Sequence, residues 1–66
     1  MTILVNGESR QLIAGTTVTD LVATMSPDGT GCAVAVNGEV IPRTAWSGHS
    51  LTAGDQVEVL TAVQGG

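Results

Sequence analysis

Short runs that contain apolar residues such as valine, isoleucine and leucine are separated by turn-forming dipeptides, and such runs predict β-strands. The strand-like runs are residues 2–5, 9–13, 32–36, 39–41 and 56–62. Asn6-Gly7 joins the first stretch to the second, and Asn37-Gly38 joins the third to the fourth. Tight type I′ turns need positive φ at both central residues, which Asn and Gly tolerate best, so each dipeptide predicts a β-hairpin.

Between the two hairpins, apolar residues recur at helical spacing and predict one helix. The hydroxyl of Thr17 and the carboxylate of Asp20, three residues later, can cap the amides of its first turn. Ser26 precedes Pro27, which disfavours helical backbone and ends the helix. The apolar stripe of this helix consists of Val18, Leu21, Val22 and Met25.

The predicted order of elements is strand, strand, helix, strand, short strand, strand. It favours an α+β fold in which a mixed sheet of four or five strands packs on one helix. Pro42 should end the second hairpin, and residues 43–50 should form an irregular or short 3₁₀ segment. Trp46 in that segment should cover one end of the core, with its indole nitrogen bonded to an acceptor. We expect a folded domain over residues 1–62 and a flexible tail over residues 63–66.

The pattern of the last strand predicts an exposed apolar patch. Glu58 should face water, so Leu60 and Ala62 should face outward with it. Leu4 should face outward from the first strand, and if the two strands are neighbours, Leu4 and Leu60 would form a patch at the root of the tail. Such a patch is either ordinary surface or a docking site for a partner. The inward positions of the last strand would be Val57, Val59 and Thr61.

Composition limits the function more than it defines it. The 66 residues suffice for one small domain, and the net charge of −4, with two arginines and no lysine, argues against nucleic-acid binding. An acidic domain is instead steered toward a basic surface on a partner. One cysteine excludes an internal disulfide and fits a reducing compartment. Since the sequence shows no signal peptide and no membrane span, we expect the protein in the cytoplasm.

The residues predict no catalytic site, no metal site and no bound cofactor in this chain. His49 and Cys32 are the single histidine and the single cysteine, which excludes a multi-ligand Cys/His zinc site. The group available for chemistry is the α-carboxylate of Gly66. Because Gly65 and Gly66 lack side chains, this end can enter a channel too narrow for other residues. The pattern therefore indicates a carrier whose terminus reacts in the active site of another protein.

Three segments resemble the ThiS sulfur-carrier family of thiamin biosynthesis. They are NGEVIPRTAW at residues 37–46, GDQVEV at residues 54–59 and the terminal Gly65-Gly66. The similarity extends over nearly the whole chain, including the helix start at residues 17–21. The combination of the Pro-Arg-x-x-Trp segment, the Gly-Asp turn and the Gly pair is fairly specific.

This resemblance implies the ubiquitin-like β-grasp fold and a function in sulfur transfer. Gly66 would be adenylated by an ATP-dependent, ThiF-type activating enzyme and converted to a thiocarboxylate, and Gly65 would allow passage into the active site. A ThiG-type thiazole synthase would then receive the sulfur. ATP would be used by the activating enzyme and not bound by this chain. The candidate docking residues are Leu4, Leu60, Ala62, Val63 and Gln64.

Three alternatives share parts of this pattern. A related MoaD-like carrier would supply sulfur to molybdopterin or another acceptor, and a protein-conjugating modifier would also end in Gly-Gly. A pure interaction module would not need Gly66 at all.

Overall fold

Five strands, one α-helix and one 3₁₀ helix make up residues 1–26 and 31–61, the parts of the chain that the computed structural model describes. The predicted order of elements is confirmed. In chain order they are β1 (Thr2–Val5), β2 (Glu8–Gln11), α1 (Val18–Ala23), β3 (Cys32–Val36), β4 (Glu39–Ile41), the 3₁₀ helix (Arg43–Gly48) and β5 (Gln56–Thr61).

The strands form one mixed sheet in the order β2-β1-β5-β3-β4. β1 and β5 are parallel, whereas β1 with β2, β3 with β4, and β3 with β5 are antiparallel. The last strand along the chain therefore lies at the centre of the sheet. This central strand is also the element that directly precedes residues 62–66 along the chain.

Both predicted hairpin turns are confirmed. Asn6 and Gly7 have φ values of 52° and 83°, and Asn37 and Gly38 have φ values of 52° and 84°. All four lie in the left-handed region, as a type I′ turn requires.

The predicted helix start is confirmed as a reciprocal capping box. The backbone N–H of Asp20 donates to Thr17 Oγ1 at 3.2 Å, and the backbone N–H of Thr17 donates to Asp20 Oδ2 at 3.1 Å. Met25 lies beyond the last helical residue, yet it still packs half-buried against the core. Pro27, the predicted helix stop, lies outside the described residues.

The helix and the 3₁₀ segment cover one face of the sheet and close the core. Trp46 is buried, and its Nε1–H donates to the carbonyl of Ile41 at 2.9 Å, which confirms its predicted position over the core. The guanidinium of Arg43 stacks over the Trp46 ring, 5.3 Å from its centre. The buried apolar side chains are Ile3, Val5, Val18, Leu21, Val22, Val34, Val36, Ile41, Trp46, Leu51, Val57 and Val59.

Two strand predictions need correction. The second strand ends at Gln11 and not at residue 13, because β1 begins at Thr2 and Thr2 already pairs with Gln11. Ile13 is 80% exposed as a result. Thr61, expected to face the helix, is exposed because it is the last residue of β5.

The side chain of Asn6 extends the pairing of β1 with β5. β1 itself pairs with β5 only at Leu4 with Gln56 and at Val5 with Val57. Beyond that point, Asn6 Nδ2 donates to the carbonyl of Val59 at 3.2 Å, and the backbone N–H of Val59 donates to Asn6 Oδ1 at 2.9 Å. The side-chain amide thus replaces the next residue of a strand and holds β5 close to its end.

Asn37 holds the start of β5 from the opposite side. The backbone N–H of Gln56 donates to Asn37 Oδ1 at 2.9 Å, and Asn37 Nδ2 donates to Asp55 Oδ1 at 3.0 Å. Asp55 also accepts the backbone N–H of Thr52 at 2.8 Å and the hydroxyl of Thr52 at 3.1 Å. Both Asn-Gly turns therefore bind the central strand through the side chain of their asparagine.

Burial and hydrogen bonding act in opposite directions on the carboxyl of Asp55. Burial alone would raise its pKa, but the hydrogen bonds from Thr52 and Asn37, with the nearby charge of His49, outweigh it. The pKa of Asp55 therefore lies below its ordinary value of 3.8. The folded state favours the ionised carboxylate.

Replacing Asn6 tests the extension of the strand pairing. Asn6→Gly keeps the positive φ and removes both side-chain hydrogen bonds, so it should lower the free energy of unfolding by about 1–2 kcal/mol. Asn6→Ala should lower it by about 1 kcal/mol more, because alanine is strained at positive φ. Urea unfolding measures both values. Native stability in Asn6→Gly would contradict the proposed role of the side chain.

Replacing Asp55 tests the buried carboxylate through pH. Asp55→Asn should destabilise the protein at pH 7, because its amide group cannot accept the bonds that both carboxylate oxygens accept. Since the folded-state pKa is lowered, the contribution of Asp55 is present above the unfolded-state pKa of about 4 and is lost as pH falls through the folded-state value. Urea unfolding of both proteins between pH 7 and pH 2 should show a difference that shrinks below about pH 4. A difference independent of pH would show that the charge of Asp55 contributes nothing.

Candidate functional site

Side chains of β5 divide between the core and the outer face of the sheet. Val57 and Val59 are 2% and 4% exposed, whereas Leu60 is 69% exposed and Glu58 is also exposed. This confirms the predicted orientation of these four residues. The outer face of the central strand therefore carries one large apolar side chain and one carboxylate near the root of the tail.

The structure does not bring Leu4 and Leu60 together as predicted. Leu4 faces outward and is 37% exposed, but it pairs with Gln56, four residues before Leu60 on β5. Four residues of strand correspond to about 13 Å. The two strands are neighbours, but β1 meets only the start of β5. A docking role for Leu4 stays a prediction, and it would belong to a separate part of the sheet.

Leu60 instead belongs to an apolar patch formed with β3 and β4. On β3, Ala33 pairs with Leu60, and Ala35 pairs with Glu58 on one side and with Val40 on the other. Val40 is 72% exposed. These residues line a half-open recess of ≈ 80 Å³ on the outer face. We call Ala33, Ala35, Val40 and Leu60 the outer patch.

Ala33, Ala35 and Val40 are not among the site residues predicted from the sequence. The Asn37-Gly38 turn fixes the register between β3 and β4, so the position of Val40 opposite Ala35 could have been found from the sequence. The pairing of Ala33 with Leu60 could not, because it joins strands that are distant along the chain.

The four side chains of the outer patch are apolar, so they contribute no acid, base or nucleophile. Within residues 1–26 and 31–61, no three His, Cys, Asp or Glu side chains are placed to hold a metal ion. Cys32 and His49 are both half-buried. Across the same two ranges, no helix is long and apolar enough to span a membrane.

The remaining candidate residues lie beyond the described part of the chain. They are Ala62, Val63, Gln64, Gly65 and Gly66. Their predicted roles in docking, passage and modification stay predictions. Five extended residues span at most about 18 Å, so residue 66 lies no farther than this from the end of β5.

Comparisons with known proteins show similarity to one family over nearly the whole chain. The ThiS family profile matches residues 3–66. The chain is 35% identical over 66 residues to the sulfur carrier protein ThiS of Escherichia coli K12, with full coverage of both chains. It is also 30% identical over 66 residues to a thiazole synthase of Paramagnetospirillum magneticum, of which it covers 20%.

A solved structure shows the same fold. The crystal structure of the thiamine biosynthesis protein ThiS from Geobacter metallireducens matches with a TM-score of 0.82 and 30% identity, and each chain is covered completely. The five-stranded mixed sheet packed on one helix is therefore the β-grasp fold expected from the resemblance.

A pair of substitutions on neighbouring residues of β5 tests the division between its two faces. Leu60→Glu should change the free energy of unfolding by no more than about 0.5 kcal/mol, because this side chain is exposed. Val59→Ala should cost about 2 kcal/mol, since it leaves a cavity in the core. Urea unfolding measures both. A loss for Leu60→Glu as large as that for Val59→Ala would show that Leu60 belongs to the core.

Proposed function

This chain belongs to the ThiS family, and we propose that it is a sulfur carrier protein of thiamine biosynthesis that reacts through the carboxylate of Gly66. The observation that carries the proposal is the extent of the family match, which runs to Gly66 and includes the terminal glycine pair. The full-length similarity to the carrier of Escherichia coli supports it. In this role the chain is a co-substrate and not the catalyst.

A carboxylate must be activated before it can accept sulfur, because its oxygen is a poor leaving group. An oxygen of Gly66 would attack the α-phosphorus of ATP, releasing pyrophosphate and forming an acyl-adenylate. A sulfur nucleophile at the oxidation level of sulfide would then attack the carbonyl carbon, and AMP would leave. The product is a thiocarboxylate at Gly66, formed without net oxidation or reduction.

For these steps the folded domain would provide the surface that binds the partner, and the tail would extend the terminal carboxylate to the active site. A ThiF-type, ATP-dependent enzyme would bind the folded domain, and the tail would extend into its active site. Leu60 ends the outer patch one residue before the end of β5, so a partner that covers this patch lies within tail length of the terminus. We expect this exposed apolar surface to be the docking surface.

The sulfur acceptor in this proposal is a ThiG-type thiazole synthase. The similarity to one fifth of a thiazole synthase chain supports it, because a carrier-like segment there shares a polypeptide with the rest of that protein. We propose that this chain meets its own thiazole synthase as a separate partner. The thiocarboxylate of Gly66 would be the sulfur donor.

The intact mass of the chain tests this function directly. The chain is incubated with ATP, the activating enzyme of its host and a sulfur source. Its mass should rise by the difference between one sulfur and one oxygen atom. A chain lacking Gly66 keeps the domain of residues 1–62 and should show no change, because the added sulfur depends on the position of the terminal carboxylate.

Leu60→Glu serves as a second control in this experiment. It retains Gly66, so its mass should rise more slowly at equal concentration if the outer patch is the docking surface. An unchanged mass of the native chain, with an activating enzyme that is demonstrably active on another carrier, would contradict the proposed function. It would favour an interaction module or a modifier of other proteins.

A further inference from the structure

The outer patch has the shape of a slot that is one strand wide. Its floor is the outer face of β3, where Ala33 and Ala35 contribute only methyl groups. One wall is Val40 on β4, and the other is formed by Leu60 and Glu58 on β5. Neighbouring strands lie about 4.8 Å apart, so the walls stand about 10 Å apart, which is the width of one inserted side chain.

One wall of the slot carries a charge. Glu58 pairs with Ala35 and lies at the edge of the apolar floor, and no residue of the described ranges forms a hydrogen bond or ion pair with its side chain. The other described strand positions on the outer face carry no charge. By alternation along the strands, these positions are Thr2, Leu4, Ser9, Gln11, Ala33, Ala35, Val40, Gln56 and Leu60.

A purely apolar group fits this arrangement poorly. It would cover Leu60 and the alanine floor, but it would also remove water from the carboxylate of Glu58 without replacing the lost hydrogen bonds. An arginine side chain can contact the apolar floor and also form hydrogen bonds to the carboxylate of Glu58. Its methylene stem can lie along the alanine floor, and its planar guanidinium can bind a carboxylate through two parallel hydrogen bonds.

We propose that the slot binds an arginine side chain of the activating enzyme, with the guanidinium on Glu58 and the stem between Val40 and Leu60. This inference rests on the proposed function, and it identifies the chemistry of the partner surface. The net charge of −4 favours a basic partner surface in the same way. Gly66 lies six positions after Leu60, about 20 Å along an extended chain, so an enzyme anchored here can receive the terminus.

Steady-state kinetics of adenylation by the host activating enzyme, followed by pyrophosphate release, test the inference. Glu58→Gln keeps the size of the side chain and removes its charge. It should raise KM for the carrier about tenfold and leave kcat unchanged, because the lost contact is equally strong before and during the reaction. The matched control is Glu8→Gln, which makes the same change of charge on β2, two strands away from β5. It should shift KM less than twofold.

Two further measurements distinguish the contribution of the arginine stem to binding from the contribution of its charge. Ala35→Leu raises the floor of the slot at a half-buried position that faces away from the core, and it should also raise KM. The free energy of unfolding should stay near the native value, because the added side chain points away from the core. Raising the salt concentration should raise KM of the native chain toward that of Glu58→Gln and should affect the variant less, because salt screens the ion pair.

Different results overturn different parts of the inference. Equal KM values for Glu58→Gln and Glu8→Gln, with a raised value for Ala35→Leu, would replace the arginine with an uncharged anchor. Native KM values for both Glu58→Gln and Ala35→Leu would show that the enzyme docks elsewhere. A native chain that releases no pyrophosphate with an active enzyme would instead overturn the proposed function itself.

Discussion

The central strand β5 depends on the side chains of two asparagines. Asn6 pairs with the main chain of Val59 on one edge, and Asn37 pairs with the main chain of Gln56 on the other. Each asparagine also forms the turn of its own hairpin. One residue type therefore sets the turn and joins each hairpin to the strand that leads to the terminus. Because these contacts are made to the main chain of β5, they do not depend on which side chains the strand turns outward.

This arrangement allows one strand to serve stability and recognition at once. Within the described residues, the α-helix and the 3₁₀ helix cover one face of the sheet and leave the other face open to solvent or to a partner. Alternate residues of β5 then have different roles. Val59 packs in the core, whereas Glu58 and Leu60 face outward, where substitutions can adapt the surface to a partner without disturbing the core. Alanines on β3 widen the apolar surface beside Leu60 without adding bulk.

The sequence predicted the parts of the fold that depend on neighbouring residues. The Asn-Gly turns, the capping box between Thr17 and Asp20 and the inward and outward sides of β5 from Val57 to Leu60 all appear as expected. The β-grasp fold implied by the family resemblance is the fold that the structure shows. The predicted patch of Leu4 and Leu60 was wrong, because it needed the register between β1 and β5, and these strands lie at opposite ends of the chain.

By itself, the sequence determined the order of the elements, the core-facing sides of β1 and of residues 57–60 in β5, and the absence of a zinc-binding cysteine and histidine set. These follow from turn geometry, from alternation and from composition, which need no knowledge of distant contacts. Only the tertiary structure decided that Val40 and two alanines surround Leu60, and that Glu58 lies in one wall of the slot they form. The physical reason is that pairing of distant strands depends on which arrangement of the whole chain buries the most apolar surface, and no short segment contains that information.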